Sequence, residues 1–155
     1  MSSAAEGSSL LVPGELLPTE APVALWPFQQ RAIEQLDAAV AAGSRAPLLV
    51  LPTGAGKTVI AAYLMSRAVE RHQRALFLAP RRELVGQTSA KLAGQRHGVL
   101  LAGAEAQRDL YALIQVASIE TLQSRLVRRK GLVLPDFELV LVDEAPVYST
   151  QVVEG

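Results

Sequence analysis

The chain has no cysteine among its 155 residues. Disulfides and thiolate metal sites are excluded, and the composition suits a reducing compartment. Aromatic residues make up 5% of the sequence, with a single tryptophan, so ring stacking falls to a few named positions. Half the residues are hydrophobic, yet no apolar run approaches the roughly 20 residues of a membrane span. The N-terminus shows neither the basic stretch nor the apolar core of a secretion signal. We therefore expect no membrane association and a cytoplasmic location. The two histidines, His72 and His97, fall near expected helix ends or loops and read as surface groups rather than ligands.

Net charge is also lacking, but the zero hides an asymmetry. The first 30 residues carry Glu6, Glu15 and Glu20 and no cation, leaving 15 cations against 12 carboxylates in the rest. Between positions 67 and 97, seven cations (Arg67, Arg71, Arg74, Arg81, Arg82, Lys91 and Arg96) face only Glu70 and Glu83. Such an excess suits a polyanionic partner, and it equally suits solvated helix faces. Charge alone leaves both open.

What is present is a pair of motifs. The stretch Leu51-Pro-Thr-Gly-Ala-Gly-Lys57-Thr58 is a glycine-rich turn expected to follow one apolar run and open a helix. A phosphate-binding loop needs backbone N–H groups converging on an anion, a lysine for the β/γ-phosphates and a hydroxyl for Mg²⁺. Gly54, Gly56, Lys57 and Thr58 supply these in order, with Leu51 standing where the general pattern has glycine. Asp143, 86 residues after Lys57, and its neighbour Glu144 end the apolar run Leu139–Val142. Adjacent carboxylates at a buried strand end are rare without a cation or partner. The pairing assigns Asp143 to the metal and Glu144 to the attacking water, and so implies nucleotide triphosphate hydrolysis.

A chain of this length makes one domain able to bury about 70% of its unfolded surface. Residues 1–22 read as a disordered tail rich in Ser, Ala, Glu, Gly and Pro, and the folded domain as 23–155. Apolar spacing predicts helices over Phe28–Ala42, Gly56–His72, Arg82–Leu92 and Ile119–Arg129, the last capped by Ser118. Five short apolar runs, Leu48–Leu51, Ala75–Ala79, Val99–Ala102, Ile114–Ala117 and Leu139–Val142, read as strands. Glu105–Leu110 reads as one or two helical turns. Apolar runs that do not alternate, separated by helices, predict an α/β fold with a parallel sheet covered on both faces. Ligands bind at the carboxyl ends of such strands, where both motifs fall.

Five stretches in this order and spacing resemble the first RecA-like domain of a superfamily 2 helicase or translocase, of the DEAD/DEAH-box broad class. The form is closest to type III restriction subunits and DNA-repair helicases, and the likeness covers about residues 24 to 146. Trp26-Pro-Phe28-Gln29 is similar to the segment whose glutamine reads adenine. Leu51–Thr58 resembles the family's own phosphate loop. Ala79-Pro80-Arg81-Arg82-Glu83 resembles motif Ia and Val116-Ala-Ser118-Ile-Glu-Thr121 a further nucleic-acid segment. Val142-Asp-Glu-Ala resembles motif II. Trp26, Glu120 and Pro146 depart from the usual Arg, Gln and His/Asp, and Pro146 puts coupling to motion in question.

The resemblance implies ATP and Mg²⁺ as cofactors. Phe28, Gln29, Thr53, Gly54, Ala55, Gly56, Lys57 and Thr58 would hold the nucleotide, Thr58 and Asp143 the metal, and Lys57 and Glu144 would act in catalysis. Pro80, Arg81, Arg82, Ser118 and Thr121 would meet nucleic acid, with DNA favoured over RNA. The sequence ends 11 residues after Glu144, before the second RecA-like domain whose arginines reach the transferring phosphate. Losing such an arginine costs on the order of 10³ to 10⁵ in rate, so we expect poor turnover from this chain alone. The alternative expectation is a truncated, non-catalytic nucleotide or nucleic-acid binding module.

Overall fold

The structure is a computed structural model that describes residues 24–102, 109–128 and 134–144. Among the described residues the α-helices and strands run in the order α1 (Pro27–Ala41), α2 (Lys57–Glu70), β1 (Ala75–Ala79), α3 (Arg82–Lys91), β2 (His97–Leu100), β3 (Ile114–Ser118), α4 (Ile119–Leu122) and β4 (Leu139–Val142). All strand pairs are parallel, in the order β2-β3-β1-β4. This is the expected α/β architecture, with the strand expected at the second motif in place. Residues 1–22 and most of Glu105–Leu110 lie outside the described residues.

The central strands are mostly apolar because both their faces are covered; Gln115 and Ser118 of β3 are the buried polar exceptions. Every residue of β3 is buried, and so is all of β1 except the half-buried Leu78. On one face Phe77, Ile114, Val116 and Val99 pack beneath Met65 and Ala68 of α2 and Val85 of α3. On the other, Leu76, Leu100 and Ala117 meet Leu122 of α4, with Leu134 and Phe137 against them. A third cluster joins Ile33 of α1 to Ile60 and Leu64 of α2, with Leu49, Leu51, Leu139 and Leu141 at its margin.

Two expectations are corrected. Leu48–Leu51 makes no strand: it packs Leu49 and Leu51 inward but joins no ladder, and Leu48 and Val50 stay 66% and 80% exposed. The neighbouring β4 alternates in the same way, with Val140 and Val142 about half exposed. At this end of the sheet only one face is covered among the described residues, so the alternating pattern replaces the continuous burial expected. The helix from Ile119 also changes character. After Leu122 it continues as a π-helical stretch, Gln123–Arg128, whose wider turn an apolar periodicity does not reveal.

Candidate functional site

The glycine-rich loop before α2 is built by two glycines in the left-handed region. Gly54 and Gly56 have φ of 82° and 79°, a conformation that costs an L side chain about 1–2 kcal/mol. Gly56 caps α2: its carbonyl accepts the Val59 and Ile60 N–H groups at 2.9 and 3.1 Å, while the Lys57 and Thr58 N–H groups come before the first intrahelical bond and face whatever lies before the helix. The Ala55 N–H closes the preceding turn onto the Pro52 carbonyl at 3.2 Å. Thr53 and Gly54 are exposed, Lys57 is exposed at the helix start, and Thr58 is half-buried beside it.

Gln29 ties this loop to α1. Its side-chain N–H donates to the Ala55 carbonyl at 3.0 Å, and its side-chain oxygen accepts from the Trp26 N–H at 2.9 Å. The amide is buried, with one N–H and one lone pair left over. Trp26 and Phe28 on either side are 68% and 40% exposed, so their rings are open to a base. The tie also explains Gly56: a Cβ there would lie 2.4 Å from the Gln29 amide nitrogen.

The carboxylates stand at the carboxyl end of β4. The Asp143 N–H extends the ladder to the Leu78 carbonyl at 2.8 Å, and one Asp143 carboxylate oxygen accepts from the Glu144 N–H at 2.9 Å. That leaves the second Asp143 oxygen for another partner. Glu144 itself has φ of 48°, uncommon for a residue with a side chain and a mark of local strain. Among the described residues no trio of His, Cys, Asp or Glu gathers to cage a metal. Mg²⁺ does not require one, because it is commonly held by one or two carboxylates together with substrate phosphates and water. One free carboxylate oxygen, a hydroxyl and an open glycine cradle fit that ion.

The loops at the carboxyl ends of β1 and β3 differ in availability. Pro80, Arg81 and Arg82 are exposed. Arg82 donates to the Ala102 carbonyl at 3.0 Å, and Arg81 lies 3.8 Å from a Glu144 oxygen. Ser118 and Thr121 are buried and bonded to each other: the Ser118 hydroxyl donates to the Thr121 hydroxyl at 2.7 Å and accepts the Thr121 N–H at 3.1 Å. The Thr121 hydroxyl also accepts the Ala102 N–H at 3.2 Å. In this arrangement the two hydroxyls cap α4 and brace the loop after β2.

Residues 23–148 match the family model described as type III restriction enzyme, res subunit. The chain belongs to that family. It is a RecA-like P-loop domain of the helicase-like, ATP-dependent motor class, the class anticipated from the five motifs. Comparison with curated proteins gives no match.

Sequence reasoning missed two features of this ResIII domain. Arg67 of α2 grips Asp37 of α1 through paired bonds of 2.7 Å, with its guanidinium 6.0 Å from the Tyr63 ring centre. The hydrogen bond from Arg67 holds the Asp37 carboxyl below the usual carboxylate range. The pair borders a cleft of about 370 Å³ that also takes in Leu25, Ile33 and Tyr63 and none of the phosphate loop. The other is the Arg81–Glu144 contact, which links two motifs 63 residues apart. No local pattern signals either.

Proposed function

We propose that this domain is the ATP-binding half of a nucleic-acid helicase or translocase acting on DNA. The observation that carries this reading is the glycine cradle at the start of α2, in a domain whose β4 ends in Asp143 and Glu144. Backbone N–H groups of Gly54, Gly56, Lys57 and Thr58 hold the phosphates, and Lys57 neutralises charge at the β/γ position. Thr58 and Asp143 would hold Mg²⁺, which would neutralise charge on the transferring phosphate. Glu144 orients the attacking water. Phe28 stacks on the base, and Gln29 offers adenine its remaining donor and acceptor. Pro80, Arg81 and Arg82 line the path of a strand whose phosphates are met without base reading. Ser118 and Thr121 act there by holding the loop's shape. Full activity requires the arginines of a second RecA-like domain.

Calorimetric titration with Mg-ATP tests the assignment. Lys57→Ala is expected to abolish binding while leaving the far-UV spectrum unchanged, because Lys57 is an exposed residue at a helix start. Unchanged affinity would sink it.

A further inference from the structure

β1 and β4 are neighbouring parallel strands, with Leu78 paired to Val142. Three residues past Leu78 and two past Val142, the chain places Arg81 and Glu144 side by side at the same sheet edge. Adjacent strands lie about 4.8 Å apart, so opposite charges leaving them together are bound to meet. The Arg81 Nε stands 3.8 Å from the Glu144 Oε2, with the side chains 71% and 42% exposed. The contact is long, where an arginine can offer a carboxylate two parallel bonds of hydrogen-bond length. It joins a residue of the proposed nucleic-acid path to the residue proposed to orient water.

We propose that Arg81 is a positioning residue that restrains Glu144 in the absence of nucleic acid, and that a backbone phosphate of the bound strand takes over its guanidinium. This rests on the function proposed above. The exchange is favourable because phosphate accepts the guanidinium fork through two bonds, whereas Glu144 is held across 3.8 Å, close to the limit of an ion pair. Arg82 does not substitute, since it is engaged by the Ala102 carbonyl on the β2 side. Strand binding thus frees the Glu144 carboxylate to orient water, and hydrolysis becomes linked to occupancy of the strand path.

The linkage is measurable as a double-mutant cycle on strand affinity, without nucleotide and without turnover. A fluorescein-labelled oligothymidylate is titrated by anisotropy at low salt with the wild type, Arg81→Ala, Glu144→Gln and the double variant. If Glu144 competes for Arg81, Glu144→Gln tightens binding by up to about fivefold, the ceiling for an exposed pair. On the Arg81→Ala background the same change has no effect. Arg81→Ala also lowers the slope of log affinity against log salt by about one, and Arg81→Lys, which keeps the charge, restores most of it. Equal tightening by Glu144→Gln on both backgrounds would mean plain repulsion of the strand by Glu144, and no tightening on either would mean no competition. Either result overturns the restraint while leaving the proposed function in place. Failure of the wild type to bind at low salt removes the nucleic-acid reading itself and this inference with it.

Discussion

Gly56→Ala is the sharpest probe of how the glycine-rich loop is held, because Gly54 provides an internal control. Both glycines sit near φ of 80°, so alanine at either costs about 1–2 kcal/mol of backbone strain, partly offset by a stiffer unfolded chain. At Gly54 nothing lies within 4 Å of an added Cβ, and the cost ends there. At Gly56 the Cβ would fall 2.4 Å from the Gln29 amide nitrogen. The amide must then swing away and release the Ala55 carbonyl and the Trp26 N–H. Two bonds at about 0.5–1.5 kcal/mol each add roughly 1–3 kcal/mol, for a total of about 2–5 kcal/mol. Urea unfolding of the two variants should therefore differ by roughly 1–3 kcal/mol. Removing the obstacle first should erase the difference: on a Gln29→Ala background, Gly56→Ala costs only the backbone strain. If the two glycine variants are equally stable, or if the Gln29→Ala background brings no relief, the tie between α1 and the loop is not what makes Gly56 necessary.

Gly98→Ala in β2 should destabilise by about 1–3 kcal/mol in the same urea assay, since its Cβ would meet the Asp109 carbonyl and the Gln115 side-chain oxygen at 2.4 Å each; stability within error of the wild type would mean that the loop after β2 simply yields. Asp37, whose carboxyl the Arg67 bond holds below its ordinary value of 3.8, contributes stability that is present above that value and lost as pH falls through the lowered one. With half its side chain exposed the contribution stays below about 1 kcal/mol, so Asp37→Asn should be measurably less stable than wild type at neutral pH and converge with it in acid. ATP should outcompete GTP for a labelled ATP analogue, because the free N–H and lone pair of Gln29 suit adenine, whereas guanine reverses the pattern at position six; equal competition would leave Gln29 as a structural tie alone.

Local signals carried most of the fold. Gly43, Gly94 and Pro80 punctuate the chain where apolar periodicity changes, and β1, β3, β4 and the first three helices stand within two residues of where that periodicity puts them. The departures come where the outcome depends on what lies across space. Leu48–Leu51 reads as a buried strand because a run of apolar residues cannot say whether one face or two will be covered, and here Leu48 and Val50 remain in solvent. The same limit applies to the candidate site. Glycines at 54 and 56 announce a turn with positive φ, since few other residues tolerate one. Ser118 and Thr121 are harder to read, because a hydroxyl that can bond a phosphate oxygen can equally bond its neighbour, and here the two buried hydroxyls bond each other. Arg81 shows the converse. Its cationic character was plain in the sequence, but its value lies in standing next to Glu144, and that follows only from the register of β1 against β4. Motifs name the groups a site contains; strand order and register determine which of those groups can act on one another.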